Sequence, residues 1–128
     1  MAEASYPEDL LYHAEHDWAR IEGDIATFGI TWHAQDALGE VVFFDPPAVG
    51  TTVSAGEPYT EVESVKAVSD VIAPLSGEIV ETNEALGDSP EAINDDPYGE
   101  GWMVKVRLSD PSETGDLLDA AAYQATLG

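Results

Sequence analysis

Pro58-Tyr59-Thr60-Glu61-Val62-Glu63-Ser64-Val65-Lys66-Ala67-Val68-Ser69-Asp70-Val71-Ile72-Ala73 carries the architecture of this chain. Its two ends, Pro58 to Ser64 and Val68 to Ala73, mix β-branched residues with polar ones in the alternation of half-buried strands. Val65, Lys66 and Ala67 fall between them. A type I turn accepts Ser at its first position, which puts Ser64 there and Val65 and Lys66 at the centre. No Gly, Asn or Pro in the link demands a bend, so the turn follows from the flanking strands rather than from its own chemistry. A lysine at such a tip leaves the surface without packing on either strand, as the anchor of a swinging tether must.

Outward from this hairpin, Trp18 to Ile21, Ile25 to Gly29, Glu40 to Phe44, Gly77 to Thr82 and Trp102 to Leu108 also read as strands. Turn signals separate them every eight to twelve residues or so, the rhythm of a sandwich or barrel of short strands. Thr31 to Leu38 is a predicted short helix that Thr31 can cap and Gly39 can close. The Ala- and Leu-rich tail from Asp116 to Leu127 reads as a terminal helix, with Leu117, Leu118, Ala121 and Leu127 as its apolar face.

The middle of the chain resembles itself at a spacing of 37 to 39 residues. Gly39-Glu40-Val41-Val42 recurs as Gly77-Glu78-Ile79-Val80, Val49-Gly50 as Leu86-Gly87, and Pro58-Tyr59 as Pro97-Tyr98. Three markers in one order suggest two β units packed face to face, with the link that holds Lys66 as an exposed hairpin.

At 128 residues the chain is the size of one domain. Hydrophobic residues make up 44%, and eight Pro and eleven Gly are spread along the length, a globular composition rich in turns. With 26 Asp and Glu against 4 Lys and Arg, the formal net charge is -22. Such a surface repels nucleic-acid phosphates and anionic membranes, and it suits basic patches on partner proteins. Solubility in high salt is the other reading of the same acidity. The absence of cysteine excludes disulfides and thiolate metal sites. Met1 to Asp9 has acids where a signal peptide needs bases, and no apolar run approaches the ~20 residues of a membrane span, so a cytoplasmic location is expected.

Two lysines occur, in different settings. In Trp102 to Leu108 the alternation puts Val104, Val106 and Leu108 on one face and Lys105 and Arg107 on the solvated other. Lys66 alone sits in a turn. His13 and His16, with Glu15 and Asp17, have a spacing that could hold a metal on a helix, but such pairs are easy to find in an acid-rich chain. Asp95, Asp96 and Glu100 lack the spacing and central Gly of a calcium loop. Trp18, Trp32 and Trp102 read as core or cleft-wall residues. Neither a Ser/His/Asp arrangement nor a phosphate-cradling Gly loop is evident, so nothing marks the chain as a catalyst.

Glu63-Ser64-Val65-Lys66-Ala67, followed by Ser69-Asp70, Ala73-Pro74 and Ser76-Gly77-Glu78, resembles the lipoylation segment of glycine cleavage H proteins. His16-Asp17-Trp18 is similar to the family's early His-acid-Trp motif. Gly29-Ile30-Thr31 with Ala34-Gln35 and Leu38-Gly39-Glu40 resembles its next block, and Asp96-Pro97-Tyr98-Gly99-Glu100-Gly101-Trp102 its late one. The resemblance runs from about Tyr12 to Tyr123.

It implies a mainly β fold: a flattened barrel-sandwich hybrid of the lipoyl and biotinyl carrier type, with a short internal helix and C-terminal helices. Residues 1–128 would form one lipoyl-carrier domain, with 1–9 a loosely ordered N-terminal segment and 111–128 a helical region. The implied role is a non-catalytic carrier with lipoate joined by an amide to Lys66, inside the turn formed by Glu63, Ser64, Val65 and Ala67. Because a lysine amine is protonated at neutral pH, a lipoyl ligase or lipoyl transferase must activate the acyl group. The implied partners are a pyridoxal-phosphate glycine decarboxylase, a tetrahydrofolate-dependent aminomethyltransferase and a flavin (FAD) dihydrolipoyl dehydrogenase, between which the arm carries an aminomethyl group.

The family resemblance further implies a cleft in which carboxylates hold the loaded amine. By motif position these are Asp17 and Asp70. Family members commonly have Glu at the first of these positions and some have His where Ala37 stands. His33, one helical turn earlier, is the candidate replacement. Three other readings stay open: a lipoyl carrier of lipoate metabolism or redox signalling, a biotinyl carrier, and an enzyme using paired carboxylates. The biotinyl family's Met-Lys-Met signature is absent, since Val65 and Ala67 flank the lysine.

Overall fold

The computed structural model describes residues 6–127. Among these residues nine strands form two antiparallel sheets: β1 Leu11–His13, β2 Asp17–Glu22, β3 Ile25–Ile30, β4 Val41–Phe44, β5 Thr52–Val53, β6 Pro58–Ser64, β7 Val68–Ile72, β8 Gly77–Thr82 and β9 Val104–Leu108. The larger sheet has the order β1-β2-β3-β9-β8-β5, and the smaller has β4-β6-β7. Neither closes into a barrel, and the mainly β sandwich expected from the alternation is the architecture found. The matching segments Gly39 to Val42 and Gly77 to Val80 lead into or form strands of different sheets.

Alternation places the core. Val104, Val106 and Leu108 point inward with Ala26, Phe28 and Ile79, while Ile30, Val41, Phe44, Val62 and Val71 form a second cluster with Met103. Tyr59 of β6 joins the two, packing against both, and its ring centroid lies 6.1 Å from that of Phe28 on β3. Each large apolar side chain buried this way contributes roughly 1.5–3 kcal/mol relative to exposure. Lys105, on the other face of β9, lies over the Trp102 ring at 5.3 Å.

Helix α1, Trp32–Leu38, lies between β3 and β4. The Thr31 side chain accepts a hydrogen bond from Ala34 N–H, and Gly39 closes the helix at φ 81°, a left-handed conformation glycine adopts without strain. Two single-turn helices that the pattern did not reveal, α2 Ala85–Asp88 and α3 Ala92–Asp95, follow β8. Four residues are too few to display a helical period. The short strands β1 and β5 escaped notice for the same reason.

The C-terminal region corrects one expectation. Pro111–Asp116 is a 3₁₀ helix, and the terminal α-helix, α4, spans Ala120–Leu127 instead of starting at Asp116. Asp119 supplies the reason: its side chain accepts from Ala122 N–H at 2.8 Å, capping the helix there. Leu118 meanwhile bridges to Tyr12 of β1, exchanging both backbone hydrogen bonds. Ala120 and Tyr123 are the buried residues of the helix, with the expected Leu127 packed beside them, while Leu117 and Leu118 pack from the segment ahead of the helix and Ala121 is exposed. Tyr123 stacks on Tyr12 at 4.9 Å, and Tyr6, inside the segment expected to be loose, meets Tyr123 at 5.6 Å. Residues 1–5 of that segment lie outside the described residues. Among the described residues, no helix is long and apolar enough to cross a membrane.

Candidate functional site

β6 and β7 pair from Pro58↔Ile72 to Glu63↔Val68, which puts Ser64 to Ala67 at the hairpin tip. Ser64, whose side chain is buried, organises the turn. Its N–H donates to the Ala67 carbonyl at 2.8 Å, while its hydroxyl accepts from the N–H groups of Ala67 at 3.1 Å and Lys66 at 3.3 Å. The serine hydroxyl thus supplies the closure that the link's composition did not predict. Val65 N–H donates to the Glu40 carbonyl at 3.0 Å, tying the tip to the segment between α1 and β4.

Held this way, Lys66 is exposed, and its amine has no hydrogen-bond or ion-pair partner among the described residues. Its stem passes Gly39: a Cβ built on that glycine would sit 3.5 Å from Lys66 Cε. Glu63 is exposed next to the tip, as are Val65 and Val68, at 68% and 60%.

Beside the tip lies a cleft of about 380 Å³, reached past Ala67. Four elements wall it. The β1–β2 turn brings His16 and β2 brings Asp17, α1 brings His33, Ala34, Ala37 and Leu38, and β7 brings Val68 to Val71, with Ile30 and Val62 at the floor. Asp17, Asp70 and His33, which are far apart in sequence, therefore line one cavity with the neighbour of Lys66. Its volume falls within the range of small-ligand sites, about 300–1,000 Å³.

Asp17 is only 2% exposed. Ile72 N–H donates to its carboxylate, yet Oδ2 has no hydrogen-bond partner. Burial holds this carboxyl well above the usual carboxylate range, with the nearby Glu15 charge adding to the rise and the Ile72 hydrogen bond opposing it. An unpartnered buried carboxyl oxygen is costly and invites a cationic hydrogen-bond donor.

Two residues that the sequence did not assign to the cleft are His16, which lines it, and, behind it, Tyr123. His16 has a φ of 74° in the turn before β2, its ring centroid is 4.6 Å from that of His33, and its Nδ1 is 2.7 Å from the Tyr123 hydroxyl. Loss of solvation lowers its pKa, and the neighbouring His33 lowers it further, while Glu15 opposes both. His13 instead ends β1 and accepts from Glu15 N–H through Nδ1, so the two histidines do not share a helix face. Asp96 caps the loop ahead of Glu100, whose N–H donates to its Oδ2 at 3.0 Å.

A second hollow, about 540 Å³, lies on the other side of Gly39 and carries Asp36, Glu40, Glu91 and Asp95. Its buried amides are mutually satisfied. Asn94 donates to Gln35 Oε1 at 3.0 Å and the Gly39 carbonyl at 2.8 Å, and its Oδ1 accepts from Val41 N–H at 2.8 Å. These groups secure α3 to α1 and β4, and among the described residues no buried side-chain polar atom of this hollow lacks a partner.

The chain is 56% identical over 124 residues to the glycine cleavage system H protein of Rubrobacter xylanophilus, covering 97% of this chain and 96% of that one. It is 57% identical over 119 residues to the protein of the same name from Halorhodospira halophila, covering 92% of each. The crystal structure of a glycine cleavage system H protein from Mycobacterium marinum superposes with a TM-score of 0.87 at 48% identity, covering 95% of this chain and 98% of that one. Since the Glycine cleavage H-protein family model also matches residues 10–128, the chain belongs to that family.

Proposed function

We propose that the chain is a lipoyl carrier of the glycine cleavage system, with lipoate attached to Lys66 and the neighbouring cleft sheltering the arm between visits to partner enzymes. The observation that carries this reading is an exposed, unpaired lysine amine at a hairpin tip beside a cleft whose one buried carboxyl oxygen has no partner. The cleft residues fit such an arm. Ala34, Ala37, Leu38, Val62 and Val71 offer an apolar wall for an acyl chain, and Asp17 and Asp70 can accept hydrogen bonds from a terminal ammonium. Lipoate bound there would supply a disulfide that accepts a one-carbon amine unit and later hands it on.

The protein's own residues bind, orient and exclude water. Ser64 fixes the turn from which the arm pivots, and attachment at one point keeps the cargo at high local concentration near successive sites. Asp17 and Asp70 hold the amine in the cleft, and His33 lines the α1 wall where Ala37 offers no donor. The partners in this reading are the pyridoxal-phosphate decarboxylase, the folate-dependent aminomethyltransferase and the flavin dehydrogenase, with a lipoyl ligase or transferase to load Lys66. A net charge of -22 favours encounter with basic docking faces on those enzymes. The cytoplasmic location expected from the N-terminal residues belongs to the same reading.

Intact mass of protein made in a lipoate-competent host tests it. A lipoyl increment on the wild-type chain, absent from Lys66→Arg, is expected. A biotinyl increment, or none on either protein, overturns the assignment.

A further inference from the structure

The arm cleft has a connection to the C-terminal helix that neither the motifs nor the family match assigns. We propose that Tyr123 is a positioning residue of this cleft, presenting His16 as an Nε2–H donor through a one-way hydrogen-bond relay that starts at the cap of α1. The proposal rests on the cleft being the arm site.

The relay consists of three short contacts. Thr31 Oγ1 accepts from Ala34 N–H at 3.2 Å, the Tyr123 hydroxyl lies 2.8 Å from Thr31 Oγ1, and His16 Nδ1 lies 2.7 Å from the same Tyr123 hydroxyl. Its direction follows from counting protons. Thr31 is fully buried, so its hydroxyl proton needs a partner inside the protein, and the Tyr123 oxygen is the acceptor within reach. Tyr123 then has its own proton left to donate, and His16 Nδ1 receives it. A histidine that accepts at Nδ1 and is not protonated carries its hydrogen on Nε2. In the reverse direction His16 would donate to Tyr123 and Tyr123 to Thr31, and the buried threonine proton would have no acceptor.

The protonation states agree with this direction. Burial pushes the Tyr123 phenol up to about 12, so it remains a donor, while loss of solvation and the neighbouring His33 lower the His16 pKa and keep the ring neutral. The backbone supports the same arrangement. His16 adopts a left-handed φ of 74°, and its carbonyl accepts from Thr31 N–H at 3.0 Å. The turn before β2 and the start of α1 are thus joined twice, once through the main chain and once through the Tyr123 hydroxyl. These are the elements that bring His16 and His33 to the cleft.

The placement bears on what the cleft would take. Asp17 and Asp70 are acceptors suited to an ammonium, and an Nε2–H donor is suited to the carbonyl or sulfur of the same arm. A neutral imidazole also spares a bound ammonium the repulsion that an imidazolium would impose. Moving the ring or changing its tautomer would remove the only role His16 can play as a donor while its Nδ1 faces Tyr123.

The test uses the full chain with ¹⁵N-labelled histidine. Long-range ¹H–¹⁵N correlation is expected to find His16 as the Nε2–H tautomer in the wild type and as a mixture in Tyr123→Phe, which keeps the ring that stacks on Tyr12. Thr31→Val should keep the Nε2–H tautomer, because the buried Tyr123 proton then has His16 Nδ1 as its one side-chain acceptor among the described residues. The wild-type spectrum decides the matter by itself if Tyr123→Phe does not fold. On lipoylated, amine-loaded protein, Tyr123→Phe should shorten the lifetime of the loaded arm several-fold. An Nδ1–H tautomer in the wild type overturns the proposal, and so does an unchanged tautomer or an unchanged arm lifetime in Tyr123→Phe. If the wild-type loaded arm decays as fast as the free lipoamide adduct, the cleft reading itself fails, and the histidine spectrum still decides the relay.

Discussion

Trp18 and Gly29 are cross-strand partners on β2 and β3, and the indole occupies the space that a side chain at Gly29 would need. A Cβ at that position would lie 2.6 Å from Trp18 Cε2. The same indole donates through Nε1 to the Pro97 carbonyl at 3.0 Å, so three distant segments meet at one ring. Gly29→Ala is therefore expected to cost about 1–3 kcal/mol, as overpacking in a filled core does. Urea unfolding would measure it, and a midpoint equal to wild type would show that the ring can move aside.

Ser64 satisfies two N–H groups at the hairpin tip with one hydroxyl. Ser64→Ala should lower stability by about 1–2 kcal/mol and loosen the turn that displays Lys66. In a lipoylation reaction with limiting ligase, the variant should be modified more slowly than wild type. Equal rates would mean that the turn geometry is not read by the modifying enzyme.

Asp17 has its folded-state pKa raised by burial, so the native protein binds this proton more tightly than the unfolded chain does. The sign follows: its contribution to stability falls as pH rises above the unfolded carboxylate value of about 3.9 and continues to fall until the folded value is passed. Asp17→Asn removes that term. The difference in stability between variant and wild type should move in the variant's favour from pH 3 to pH 7, and a difference that stays constant across that range contradicts a raised native pKa. The same variant should also hold an amine-loaded arm less well, because its uncharged amide replaces the carboxyl.

Asn94 makes three hydrogen bonds, to Val41, Gln35 and Gly39. Asn94→Ala would leave the Val41 N–H and the Gly39 carbonyl without these partners, at an expected cost of about 2–3 kcal/mol. Because Gly39 borders the Lys66 stem, backbone amide shifts at residues 39–40 and 65–66 should accompany the loss. Confinement of the shifts to α3 would contradict that coupling.

Charge dominates the response to salt. With 26 acids and 4 basic side chains, self-repulsion opposes folding, and it is screened as the Debye length falls from about 30 Å at 0.01 M to 3 Å at 1 M. The melting temperature should rise with sodium chloride over that range. Maximal stability at low ionic strength would count against the salt-adapted reading of this surface and leave partner steering as its explanation.

Much of this protein was legible in one dimension because the determining interactions are local. Alternation placed β6 and β7 on either side of Lys66, Thr31 and Gly39 bounded α1, and the motif blocks around Asp17, Lys66 and Asp96 carried the family. The terminal helix was misplaced because Leu117 and Leu118 are apolar for another reason: they pack against two core clusters from the segment ahead of the helix, where Leu118 also pairs with Tyr12, long-range contacts no local period records. Only the tertiary structure decided that Asp17, His33 and Asp70 line one cleft, that an Asp17 oxygen there lacks a partner, and that Tyr123 reaches His16 across 107 positions. Periodicity reports which face of an element is buried, whereas the partner across the gap, and hence the proton and charge it shares, is set by how the sheets and helices pack.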